Sequence, residues 1–278
     1  MALKDLLSLL LIVMTFVSYL PQYHRMLTLD SSAGLSVASV LSTALVAQVQ
    51  IATMYYLFRS APLMRYGIPI ATPPSTRDWL NLAQILTQWV CSLFLFALVI
   101  FLPTSTISPA PAVRSKSVVV LLWILHVLLF VLSVAATVGD KGDDLFSVFN
   151  IIRNINAGIV NPLFALITAF AFFFQVKVTP PVGQPNVWSN WTLGLQSFTF
   201  LLLAILWPFR LILPPNMWQL GSKPAILMAW YPWVGWACVN NAILAIGQGI
   251  MLCISINREV NGKIGFTDER QSLLHSEL

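Results

Sequence analysis

The chain has 278 residues, 58% hydrophobic and only 9% Asp, Glu, Lys or Arg, against about 25% charged in an average soluble domain. With a mean hydropathy of +0.80, this composition excludes an ordinary soluble enzyme and makes the lipid bilayer the first partner. The net charge of +5 comes from Lys and Arg scattered singly between apolar runs, so no nucleic-acid-binding surface is expected.

Seven apolar stretches approach the roughly 20 residues that a helix needs to cross a hydrocarbon core. They fall at about 5–28, 35–58, 79–102, 117–138, 148–174, 191–213 and 224–256. The expected fold is therefore all-α, a polytopic membrane protein of seven transmembrane helices. The first stretch, led by Lys4, could pass for a secretory leader, but no small-residue cleavage site follows Val17. It reads as an uncleaved span. Pro73-Pro74, Pro103, Pro109 and Pro111, the acidic turn Gly139–Asp144 and the stretch Thr179–Pro185 punctuate the connections. Trp79, Trp188, Trp191, Trp207 and Trp218 fall at predicted span ends, where indole rings anchor helices at the interface. The seventh stretch is longer than a bilayer needs and is expected to tilt or to break at Pro232, which deprives the Met228 carbonyl of its helical donor. Cys91, Cys238 and Cys253 lie inside apolar runs. Their odd number and spacing suggest neither a disulfide framework nor a zinc site, and no cofactor is implied.

In the last third of the first span stand Tyr19-Leu20-Pro21-Gln22, and Ser31-Ser32-Ala33-Gly34-Leu35-Ser36 leads into the second. Pro21 has no N–H and crowds the Val17 carbonyl. In lipid that gap must be filled from within the protein or by cavity water, and the Gln22 amide is expected to help fill it. This pairing resembles the PQ-loop repeat of seven-helix membrane proteins related to cystinosin and to the SWEET sugar transporters. The resemblance implies a 3+1+3 arrangement of two parallel triple-helix bundles. The first bundle covers 1–102, a linking helix and its loops 103–145, a second, degenerate bundle 146–256, and a cytosolic tail 257–278. It also implies a hinge at Pro21, Gln22 and Gly34. The second half has no Pro-Gln pair, and two anchors compete for its hinge. Helix count favours Pro162, whereas Pro208 to Gly221 repeats the thirteen-residue step from Pro21 to Gly34. Pro162 is preferred, because Pro208 leaves no third helix for the second triplet. Lys and Arg are nearly balanced between the two sides, so an outside N-terminus and an inside C-terminus follow from the resemblance alone.

No Asp or Glu lies well inside a predicted span, although an intramembrane carboxylate is the usual proton carrier of a coupled transporter. Cystinosin-like members use acidic residues near the motif, and the nearest equivalents are Asp30 and His24. The spans hold uncharged amides instead. Asn81, Gln84, Gln88 and Ser92 recur at steps of three and four and share one face of the third span. Asn150, Asn154 and Asn161 have a similar phase in the fifth, beside Asn156. Gln48 and Gln50 lie in the second, and Asn240, Asn241 and Gln248 in the seventh. Such groups either join helices in lipid or line a cavity for a sugar or a zwitterion. The candidate solute-binding set is Gln84, Gln88, Asn154, Asn161 and Asn241. The resemblance to SWEET proteins, which carry Asn on the third and seventh helices, puts Gln88 and Asn241 first. His126 reads as a packing residue ahead of a proton relay, and Trp230, Trp233 and Trp236 as packing ahead of sugar stacking.

The polar tail contains Glu269-Arg-Gln-Ser-Leu273-Leu274, which resembles an acidic dileucine signal read by clathrin adaptors for lysosomal or vacuolar delivery. Asn190-Trp191-Thr192 is the only glycosylation sequon; it abuts the sixth span and is expected to stay unused. The leading expectation is a transporter of a small neutral or zwitterionic solute by alternating access in an endomembrane. The alternative is a seven-helix, G-protein-coupled-receptor-like nutrient sensor, set back by short loops. A membrane-embedded terpene cyclase ranks below both, because general-acid chemistry wants a buried carboxylate. No enzymatic activity is expected.

Overall fold

The computed structural model describes residues 3–62, 69–103, 112–138, 147–178, 187–211 and 222–276, with side chains left out at 3–4, 112–115, 229 and 261–276. All regular structure among the described residues is helical. Seven helices are long and apolar enough to cross a membrane, which makes the chain an integral multi-pass membrane protein. They are α1 (Leu3–Leu29), α2 (Val37–Ser60), α3 (Thr76–Phe101) and α4 (Ala112–Val138). Then follow α5 (Val148–Val178), α6 (Asn190–Leu206) and α7, which begins at Lys223.

Serine chemistry sets most of the starts. Ser36, Ser75, Ser147, Ser189 and Ser222 each accept a backbone N–H three residues on, capping α2, α3, α5, α6 and α7. Each such cap contributes about 1 kcal/mol. On α3 the Asp78 carboxylate reaches back to Ser75, completing a capping box. The end of α1 is equally specific. Asp30 adopts φ 43°, Ser31 N–H donates to the Met26 carbonyl at 3.3 Å, and Gly34 turns the chain at φ 85°.

Pro21 does not close the first helix. The helix continues through it to Leu29. Pro232 likewise widens its helix rather than breaking it, within a π turn at Tyr231–Gly235. Pro162 directly follows a second π turn, Asn156–Val160, in α5. A wider turn carries the carbonyl that a proline ring would strike out of its way. The last helix runs as Lys223–Trp230, the π turn, and Trp236–Ser276, so the tail begins as helix rather than polar coil.

The principal helix contacts are α1 with α3 and α6, α2 with α3 and α5, and α7 with α5 and α6. α4 packs mainly on α2 and α5, meets α3 through Trp123 on Phe96 and Lys116 Nζ on the Ile100 and Leu102 carbonyls, and turns Leu121, Leu128 and Leu132 outward. Trp79 and Trp191 are exposed at helix ends, but Trp188 and Trp207, expected as interfacial anchors, are buried.

Candidate functional site: a clamped end and a polar interior

At the end of the bundle where α2 and α6 begin, two glutamines hold each other's neighbouring helix starts. Gln22 Nε2 donates to the Val187 carbonyl at 3.0 Å, and its Oε1 accepts Ser189 N–H at 3.1 Å. Gln175 Nε2 donates to the Gly34 carbonyl at 2.7 Å, and its Oε1 accepts Ser36 N–H at 2.7 Å. Val187 N–H donates to the Ala33 carbonyl at 3.2 Å, and Trp188 Nε1 donates to the Gly34 carbonyl at 3.0 Å. Gln22 therefore does not fill the gap at Val17. Its donor and acceptor are committed to the opposite half of the chain.

The exchange is reciprocal, with one register: Gln22 to Gln175, Gly34 to Val187 and Ser36 to Ser189 are all separated by 153 residues. Thr15 and Thr168 share that spacing and the same bond, each hydroxyl donating to the carbonyl four residues back at 2.7 and 2.9 Å. The residue matching Pro21 is then Phe174. Pro162 and Pro208 have no part in the clamp.

Toward the other end the interior is polar. Thr53 Oγ1 on α2 accepts Asn156 Nδ2 at 2.8 Å and Asn161 Nδ2 at 2.7 Å, both from α5. Asn161 Oδ1 in turn accepts Asn240 Nδ2 of α7 at 3.3 Å. A cavity of about 210 Å³ opens beside this joint, lined by Thr53, Tyr56, Arg153, Asn154, Asn156 and Trp233. A second, of about 400 Å³, lies against α4 and is lined by Gln48, Tyr56, His126, Ser133 and Phe164. His126 packs on Phe164, ring centroids 4.9 Å apart.

The sequence-predicted residues separate into three groups. Asn161 is fully used as a joint between α2, α5 and α7. Gln84, Gln88 and Asn241 are buried with polar atoms unpartnered: Gln84 Nε2, both Gln88 amide atoms and Asn241 Oδ1. Asn81 and Gln48 join them with both amide atoms unpartnered. Asn154 stands apart, exposed at the cavity wall, with Oδ1 3.5 Å from Arg153 Nη2. The π turn explains it: one wide turn resets the phase of α5, so Asn156 rather than Asn154 points into the core with Asn161.

Gln175, Thr53 and Arg210 were not singled out by the sequence. Only the 153-residue spacing could have revealed Gln175, because Phe174 replaces the proline that would mark it. Glu269, Leu273 and Leu274 have side chains outside the described residues. Asn190 is held at the start of α6, donating to Glu259 Oε1 at 3.0 Å and accepting from Ser255 Oγ at 2.6 Å. No family model matches the chain, and no curated protein and no solved structure matches it either.

Proposed function

We propose that the chain is a PQ-loop-type transporter that moves a small neutral or zwitterionic solute by alternating access. In this reading α1–α3 and α5–α7 are two triplets related by a pseudo-twofold axis, and α4 is the linker. Exchanging α1, α2 and α3 for α5, α6 and α7 carries the principal contacts onto one another, which supports that arrangement.

The observation that carries the function is the contrast between the two ends. One is joined by reciprocal Gln22 and Gln175 bonds, while the cavity beside Thr53 and the unpartnered amides Asn81 and Gln84 lie toward the other, with Gln88 and Asn241 near the middle of the bundle. Four such bonds, at about 0.5–1.5 kcal/mol net each, give a closure of a few kcal/mol. That is enough to hold one state and little enough for differential solute binding to shift it. The buried amides favour a polar solute: each unmatched group costs about 1–3 kcal/mol, a cost that hydroxyls, amines or carboxylates can offset. The endomembrane location rests on the Glu269–Leu274 pattern, and the Leu273→Ala, Leu274→Ala double variant is expected to shift the protein toward the cell surface.

The deciding experiment is uptake of a panel of sugars and amino acids into proteoliposomes, with and without a pH gradient. Accumulation of at least one solute, saturable and lost in Gln88→Leu, is the expected result. A well-folded, reconstituted protein that accumulates none of them would remove the transport reading.

A further inference from the structure

Arg210 follows the 3-10 turn Trp207–Phe209, immediately beyond α6, and is only 6% exposed. Its Nη1 donates to Gln84 Oε1 at 2.6 Å, and its guanidinium lies 5.1 Å from the Trp207 ring centroid. The other two donor positions, Nε and Nη2, form the side-on edge of the guanidinium. Both are buried and unpartnered.

No carboxylate among the described residues answers this charge. Asp78, buried at the same end, is committed to Ser75 N–H at 2.8 Å, Ser75 Oγ at 2.6 Å and Ala71 N–H at 3.4 Å. Burial, with Arg77 nearby, lowers the Arg210 pKa to about 10, so the group stays cationic at neutral pH. An unpaired charge taken out of water is strongly disfavoured. A fold that carries one is poised for a ligand that supplies the opposite sign.

The surroundings define that ligand further. Gln84 Nε2, Trp207 Nε1 and Trp236 Nε1 are also buried and unpartnered, and all three are donors. The two indole rings pack edge to face, centroids 5.8 Å apart, in the apolar cluster with Met54, Ile85 and Val234. Asn81, one turn before Gln84, adds one unpartnered donor and one acceptor, so donors stay in excess and, beside apolar walls, call for an acceptor-rich group on an organic body. A side-on guanidinium edge presents two parallel N–H bonds that match the two oxygens of a carboxylate.

We propose that the Nε/Nη2 edge of Arg210, with Gln84 and Trp207, binds the carboxylate of a small organic solute. This deepens the transport reading and rests on it for the cargo's identity, making the cargo an amino acid or simple organic acid rather than a sugar. The edge is sealed in this conformation, so the carboxylate reaches it when the segments carrying Trp207 and Trp236 part. Their indoles then report binding.

The test uses the full chain, purified and in pure phosphatidylcholine vesicles, which carry no carboxylate headgroup. Tryptophan fluorescence and unfolding temperature are titrated with acetate, lactate, alanine, leucine and phenylacetate, each beside its carboxamide, and with inorganic phosphate. At least one carboxylate is expected to saturate, with its carboxamide tenfold weaker or worse. Arg210→Gln should erase that preference, and Arg210→Lys, which keeps the charge without the fork, should recover only part of it. If Arg210→Gln fails to fold, the wild-type carboxylate-to-carboxamide ratio decides alone. Equal responses to acid and amide, no response to any acid, or a response to phosphate alone would overturn the site. So would a response only when phosphatidylserine is added. Carboxylate binding without uptake would keep the site and sink the transport reading; sugar uptake without carboxylate binding would do the reverse.

Discussion

Gln22 and Gln175 show how the same side chain can be obvious in one half of a chain and hidden in the other. The first is marked by Pro21; the second follows the apolar run Ala169–Phe174 and carries no local signal. Both make the same two bonds, one given and one accepted, to a helix start that would otherwise have unsatisfied N–H groups. Gln22→Ala and Gln175→Ala are therefore expected to act alike. Each removes two bonds of about 0.5–1.5 kcal/mol, which shifts the open fraction of that end by about five- to a hundredfold. The labelling rate of a cysteine placed at Ser36 reads this shift; a change in only one of the two variants would break the symmetry argument. The buried amides divide in the same physical terms. Asn161→Leu strands Asn240 Nδ2, removes one of the two amides on Thr53 Oγ1 and should destabilise the protein by about 1–3 kcal/mol. Gln88 has no partner to strand, so Gln88→Leu should leave the unfolding temperature unchanged or higher while transport falls at least tenfold. A fall in stability equal to that of Asn161→Leu would make Gln88 a joint. Arg210 escaped notice because it lies close to the expected end of the sixth stretch, where a cation ordinarily reaches out to the interface.

At the scale of the element, composition was sufficient for the seven spans, since a continuous apolar run long enough to cross a membrane needs no fine pattern. Phase was not. A π turn leaves no mark on composition, and the one at Asn156–Val160 reassigned the faces of α5. Both π turns carry or adjoin a proline, Pro232 inside one and Pro162 just after the other, so prolines read as breakers act as sites of widening. Helix contact depends equally on what is missing. A Cβ added at Gly247 of α7 would strike the Phe172 ring of α5, which the absence of a side chain permits. Gly247→Ala must displace an aromatic ring in a packed interface and is expected to cost about 1–3 kcal/mol. Gly158, with open space around it, is the control: Gly158→Ala should be neutral or slightly stabilising. Thermal unfolding in detergent compares the two, and equal shifts would show that the α5–α7 contact yields easily.

Across the whole molecule, the Pro-Gln sequence pointed to a repeat, but its register became visible only through bonds between distant segments. A 153-residue spacing that recurs at Thr15, Gln22, Gly34 and Ser36 also sets Gln88 against Asn241, both buried and both with unpartnered amide atoms. Thr, Gln and Ser recur unchanged at this spacing, whereas Pro21 and Gly34 are matched by Phe174 and Val187. If this symmetry serves alternating access, then shutting the clamped end permanently should stop transport without abolishing binding at the other. Ala33 and Val187 offer the place, because their backbones are joined by a hydrogen bond of 3.2 Å across that end. Of the native cysteines only Cys253 is exposed, so Cys253→Ser gives a background in which an Ala33→Cys, Val187→Cys pair can be oxidised selectively. The oxidised protein should retain solute-induced tryptophan fluorescence changes and lose uptake, with uptake restored by a reductant. Normal uptake with the crosslink intact would mean that this end need not open. The glutamines would then be static fasteners of the bundle, and the solute would have to leave by another route.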